Sequence, residues 1–295
     1  MNASQSFHRA NLPTDVRVPA GERLADQDDY ERYFEIVRCQ LNLLEWTRTC
    51  LSVQDQVLAD LPHTELGPSE QDQLRSGLAL LNRGALLAWA EFGQGSSSAT
   101  DTSDVPQKAL DRWKHGHQLF HLVLVQMCTA LDDALDSCRT GAWNRLTRLV
   151  DDLAVLFDAA TATMAYAAAF PPDAYRNEVR PTMEPPYLPA GFSGNLNAEH
   201  QAMARLLHEL RRAFTAVRAA PEGSLVPPLL DEAWKRLRAA QRRNWDNHVR
   251  ICSNFVPDGA SLLESHLAAS APQPPGTETG EGSRQRTRPE GGRHP

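Results

Sequence analysis

AWKRLRAAQRRNWDNHVRICSNFV, Ala233 to Val256, repeats its apolar residues at the helical period, so the stretch reads as a long amphipathic helix. On that period His248 shares a face with Asn244, Trp245, Ile251, Cys252 and Phe255, while Arg242, Arg243, Asp246 and Arg250 mark the wetter side. An imidazole is thereby expected to aim into an apolar environment. Such a histidine is ordinarily a hydrogen-bonded core residue; the sharper reading is a metal ligand.

Outward from this helix the chain repeats the same pattern. Asp26 to Leu51 has apolar residues three and four apart behind an acidic start, which predicts one helix. Further helices are expected from about Ser69 to Phe92, from near Pro106 to Cys138 with an interruption at Gly116, and from Arg145 to Phe170. LAVLFDAATATMAYAAAF, Leu153 to Phe170, is apolar almost all round and belongs in the middle of a bundle. Helices at about Ala198 to Ala219 and Val226 to Val256 complete the set. No segment alternates as a strand does, so the fold class is all-α.

Between the helices, GQGSSSATDTSDV from Gly93 reads as a low-complexity loop, and the Pro- and Gly-rich stretch from Phe170 to Asn197 as irregular structure. A loop this long inside a compact domain tends to be functional. The domain plan is a flexible lead over residues 1–25, one helical domain over 26–266, and a disordered Pro/Gly/charged tail over 267–295.

The 295 residues carry a net charge of −7, which argues against nucleic acid as a partner. No apolar run approaches the roughly eighteen residues a membrane span needs. The N-terminus lacks a basic stretch followed by an apolar one, and the 5 cysteines form no CxxC pair. Reduced thiols and a cytoplasmic location are the expectation.

Common catalytic signatures are absent: there is no GxSxG, P-loop, GxGxxG after a strand, or HExxH. His115, His117 and His121 cluster in KHGHQLFHLVL, and His117 and His121 lie on one face, a spacing able to bind zinc. No carboxylate or cysteine adjoins them there, and partly solvated histidines in a first helical turn are the plainer reading. Arg176 and Arg180, in AYRNEVRPTM, place guanidinium groups on the long loop, suited to bidentate capture of a carboxylate. GFSG, Gly191 to Gly194, allows close approach of a backbone to a ligand.

Taken in order, these pieces resemble the tryptophan 2,3-dioxygenase superfamily of histidine-ligated haem proteins. That family's Tyr-x-x-Tyr-Leu helix is matched by Tyr30, Tyr33 and Phe34. Its distal helix is matched by His115, Leu119, Phe120 and, one residue late, Gln126. Its substrate loop is matched by YR and YLPAGFSG, and its proximal helix by NWDNHVRIC, which puts His248 on the haem iron with Trp245 close by. The glycine-rich loop after the proximal helix is replaced by PDGASLLESHL, and the chain is more similar to the branch of haem-dependent aromatic oxygenases that hydroxylate L-tyrosine.

The resemblance implies a helical bundle enclosing haem b, with helices around Leu119 to Met127 and Leu153 to Phe170 lining the slot. It implies hydroxylation of L-tyrosine to L-DOPA with hydrogen peroxide, or with O2 and a reductant. The alternatives are a tryptophan or indole oxygenase of the same superfamily and a non-catalytic haem sensor. It further implies Tyr30, Tyr33 and Trp245 beside the cofactor, and the substrate carboxylate on Arg176 or Arg180. The amino group falls near Gly191, Phe192 and Ser193, the phenol near Phe120, and His117 or His121 accepts its proton. Since the Tyr-x-x-Tyr helix of one subunit covers its neighbour's haem in that family, a homo-oligomer, dimer or tetramer, is expected.

Overall fold

The computed structural model describes residues 10–13, 27–92, 107–188, 194–219 and 226–255. The architecture is mostly helical and is built around α4, Ala109–Arg139, and α5, Trp143–Ala167. Helix α2, Leu43–Asp60, and helix α3, Pro68–Phe92, pack on this pair, with α3 against α5 and α2 against α4. Helix α7, Ala198–Ala219, lies on α4, and α8, Pro228–Phe255, lies on α5. Among the described residues no single helix is long and apolar enough to cross a membrane.

Small residues bring the central helices close together. A Cβ added to Gly116 of α4 would lie 2.4 Å from Ala167 Cβ, and one added to Gly77 of α3 would lie 2.2 Å from Ala159 Cβ. Gly116 therefore does not interrupt α4; it is the point where α5 touches it. Leu119, Leu122, Leu124 and Met127 are fully buried in the core, as is Leu153. These apolar side chains pack helix against helix at the centre of the fold.

A buried ion pair fastens three of these helices. Asp60 accepts from Arg112 Nε at 2.7 Å and Nη2 at 3.0 Å, from the Tyr166 hydroxyl at 3.0 Å, and from the Gln107 amide at 2.9 Å. Arg112 also donates to the Ala169 carbonyl. With the carboxylate accepting from Arg112, Tyr166 and Gln107 and the guanidinium donating to both Asp60 and Ala169, the desolvation cost of burying these charges is offset.

Helix α8 runs parallel to α5, and pairs recur seven residues apart. Arg236 binds Asp151 at 2.7 Å and Arg243 binds Asp158 at 2.7 Å. Asn244 then donates to Thr161 Oγ1 at 3.0 Å and Asn247 to the Thr161 carbonyl at 3.2 Å. The two asparagines, more than the exposed ion pairs, fix which side of α8 faces the core.

The N-terminal part departs from the single helix expected over Asp26 to Leu51. Helix α1 covers only Gln27–Tyr33, because Glu35 adopts a left-handed backbone with φ 57° that ends it. The chain then forms β2, Ile36–Cys39, paired in parallel with β1, Ala10–Pro13. Helix α2 restarts at a capping box, in which Asn42 Oδ1 accepts from the Glu45 amide at 3.0 Å and Glu45 Oε2 from the Asn42 amide at 2.9 Å. The fold is helical as expected, with this short strand pair added to it, and the pair places part of the supposed lead, Ala10 and Leu12, in the core with 0% exposure. Four-residue strands are too short to show an alternation in the sequence.

The long loop is also more ordered than its proline content predicts. Helix α6, Pro172–Ala174, passes into a π-helical turn, Tyr175–Val179, and a 3-10 turn, Arg180–Met183. Prolines 172 and 181 sit in the first turns of these pieces, where their missing amide costs nothing. The low-complexity loop and the C-terminal tail lie outside the described residues.

Candidate active site

Two groups of side chains gather where α4, the π turn, the start of α7 and the end of α8 converge. The first is centred on His117. Its ring stacks on Phe34 with centroids 4.5 Å apart and lies 4.1 Å from the Trp113 ring. Its Nδ1 is 2.7 Å from the Trp113 carbonyl, which can only accept, so the proton resides on Nδ1 and Nε2 is the basic nitrogen. Burial among these rings pushes its pKa down to about 3, the Trp113 carbonyl opposing that shift and His121 adding to it. His117 is therefore a neutral acceptor at any working pH.

Around it lie further aromatic and hydroxyl groups. Tyr33 hydrogen-bonds Thr182 at 2.7 Å, and Thr182 in turn donates to the Val179 carbonyl at 2.6 Å. Desolvation, moderated by the Thr182 bond, raises the Tyr33 phenol well above its ordinary range. Trp113 meets Tyr175 edge-on at 5.9 Å, and Tyr175 stacks on Phe255 at 4.6 Å. Phe120 is partly buried against the core. The π turn is what aims Tyr175 inward while its neighbours face outward; such turns recur at functional sites.

His121, one turn further along α4, has a different setting. Its Nδ1 lies 3.0 Å from Glu199, and Asn197 Nδ2 lies 3.2 Å from its Nε2. Asn197 Oδ1 accepts the His200 amide at 2.9 Å, which fixes the amide group with its nitrogen toward the ring. Glu199 also pairs with Arg38, and Arg38 with Glu31 at 2.6 Å. Burial would raise the Glu199 carboxyl, but the bonds from His121 and Arg38 outweigh it and hold the pKa at about 2. With both ring nitrogens occupied, His121 organises the buried network.

Tyr30 belongs to that network. It is 1% exposed, packs 4.9 Å from Phe34 and 5.8 Å from His121, and is within hydrogen-bonding reach of Asn197.

The second group lies at the end of α8. His248 does not aim into the interior as its helical face suggested. The buried side of α8 runs through Trp234, Leu237, Ala240, Asn247 and Phe255, which leaves His248 on the exposed side. Its Nε2 is 3.5 Å from Cys252 Sγ, and Trp245 and Val249 beside it are 67% and 45% exposed. Partial desolvation lowers its pKa. His200, from α7, has its own pKa lowered by burial and then by the charge of His248, which lies within electrostatic reach. Tyr175 feels the charges of Arg180, Cys252 and Glu184, which joins this end of α8 to the π turn and hence to His117.

The two loop arginines part company. Arg176 pairs with Asp173 on the outer side of the π turn. Arg180 pairs with Glu184 at 2.9 Å and acts on Tyr175. Gly191, Phe192 and Ser193 lie outside the described residues. Among the described residues no group of three or more His, Cys, Asp or Glu side chains is arranged to hold a metal ion. Sequence reasoning passed over Arg38, from β2, and Asn197, Glu199 and His200, from the start of α7. It named Cys252 only as a face neighbour, although its i+4 spacing from His248 was visible.

Residues 2–224 match the family model described as SfmD 3-methyl-L-tyrosine peroxygenase. The chain belongs to this peroxygenase family. One curated relative, the 3-methyl-L-tyrosine peroxygenase of Streptomyces lavendulae, is 29% identical over 160 residues, which is 54% of this chain and 41% of the relative. The chain therefore matches well under half of that relative's length. No solved structure matches. The family match covers the His117 group and the π turn and stops short of α8, so His248 and Cys252 lie beyond it.

Proposed function

We propose that the protein is a peroxygenase of tyrosine-type amino acids that hydroxylates the ring carbon beside the phenol oxygen. The peroxide O–O bond breaks, one oxygen replaces hydrogen on the ring as a hydroxyl, and the other leaves as water. L-tyrosine would give L-DOPA; a ring-substituted tyrosine would give the corresponding catechol. The observation that carries this reading is the His117 to Trp113 hydrogen bond, which presents a neutral imidazole acceptor inside an aromatic enclosure.

In this reading Nε2 of His117 accepts the hydrogen bond of the substrate phenol and orients it. A nitrogen this weakly basic takes the proton itself only as charge develops on the phenol oxygen, when the imidazolium gains a phenolate partner. Phe34, Trp113 and Tyr175 exclude water from the ring. Arg180 exchanges Glu184 for the substrate carboxylate, a bidentate partner of the same charge.

Haem b is the cofactor that suits such chemistry, and the end of α8 fits it. His248 supplies an imidazole kept neutral, Cys252 stands beside it, and Trp245 and Val249 turn apolar surface outward rather than into the core. Bound there, haem supplies the activation of peroxide. The test is to incubate the haem-loaded protein with peroxide and L-tyrosine or 3-methyl-L-tyrosine and to measure product mass. Addition of one oxygen is expected, slowed by about 10²–10⁴ in His117→Phe. An indole product from tryptophan, or no product with haem bound, overturns the proposal.

A further inference from the structure

Helix α2 carries an outward face with no counterpart among the described residues. Four of the nine exposed large apolar side chains among the described residues, Leu43, Leu44, Leu51 and Leu58, belong to it, at 49%, 50%, 36% and 39% exposure. Its opposite face, with Thr47, Cys50, Val53, Gln54 and Val57, is the one packed on α3 and α4. Leu44, Leu51 and Leu58 are seven residues apart and form one stripe along the outer side. Arg48 and Asp55 flank that stripe, and neither forms an ion pair with another described residue.

We infer that this stripe is an isologous contact through which two copies of the chain pair antiparallel along α2. A seven-residue apolar repeat on a straight helix drifts slowly round the axis and suits a left-handed pair of helices. A twofold axis near Leu51 sets Leu44 of one copy opposite Leu58 of the other. Arg48 then stands within one residue, about 1.5 Å of helix rise, of the level of Asp55 in the second copy. Arg48 and Asp55 flank the same side of the stripe, so a parallel pair would hold them on opposite sides of the seam with no opposite charge to meet, and the charges select the antiparallel arrangement. The 18 residues of α2 give a contact about 27 Å long, at the small end of specific interfaces, and the dimer dissociates in the micromolar range.

The experiment is sedimentation equilibrium of the full chain from low micromolar to sub-millimolar concentration. The wild type is expected to form a dimer, and Leu51→Asp, at an exposed position, to weaken it at least tenfold. Arg48→Glu and Asp55→Arg should each weaken it through like-charge contact, and the double variant R48E/D55R should recover wild-type association. A wild type that stays monomeric throughout overturns the proposal. So does a dimer indifferent to Leu51→Asp, or a double variant no better than the singles.

Discussion

His121 Nδ1 lies 3.0 Å from Glu199 Oε2, and neither side chain exposes any surface. This pair joins α4 to the first turn of α7 and, through Arg38, to β2. Glu199→Gln would leave Arg38 and His121 buried with weakened compensation. A loss of about 3–5 kcal/mol in urea unfolding at neutral pH is expected. A loss below about 1 kcal/mol would show that the network contributes little.

Acid should loosen the fold through two groups acting in the same direction. His117 has a folded pKa of about 3, below its unfolded value of 6.5, so the unfolded chain binds the extra proton first. Stability is then lost as pH falls from 6.5 toward 3. Glu199, at about 2 against an ordinary 4.5, adds a second loss below pH 4.5. Urea midpoints of wild type and His117→Phe at about pH 7.5 and about pH 5 separate the two. The variant should lose less stability over that interval, and equal losses would refute the assignment to His117.

Gly116→Ala and Gly77→Ala should each destabilise, although Gly→Ala in an exposed helix typically stabilises by about 1 kcal/mol. The added methyl meets Ala167 or Ala159 well inside contact distance. About 1–3 kcal/mol of overpacking is expected, read as a lower Tm. A raised Tm in either variant would mean that the helices are not so closely apposed.

Arg180→Leu should weaken binding of a tyrosine-type amino acid by roughly 2–5 kcal/mol, if the carboxylate pairs with it in a sheltered site. Arg176→Leu, on the outer side of the π turn, should leave affinity nearly unchanged. Calorimetric titration of both variants checks this, and the reverse ranking would move the clamp to Arg176.

How far the sequence disclosed the fold depended on segment length. The boundaries of α7 were legible to the residue, and those of α3, α5 and α8 to within about two or three, because their apolar period persists over many turns. The break at Glu35 was not, since a single left-handed residue leaves no mark on a periodic pattern. His117, His121, Arg176 and Arg180 were singled out by residue type and context, but any ranking among them depends on partners. Those partners, Glu199, Asn197 and Asp173, lie on other elements or on the far side of a π turn. Only the inward orientation expected of His248 was off, by one step of the helical wheel, because Asn247, a polar residue, holds the inward position through Thr161.

The strand pair makes residues 10–13 a clasp on β2. Ala10 pairs with Ile36, and Leu12, wholly enclosed, with Arg38. A shortened polypeptide beginning after Pro13 would bare an unsatisfied strand edge and the cavity left by Leu12 beside it. Such a product should be sticky and prone to precipitate, even with every helix and every catalytic side chain present.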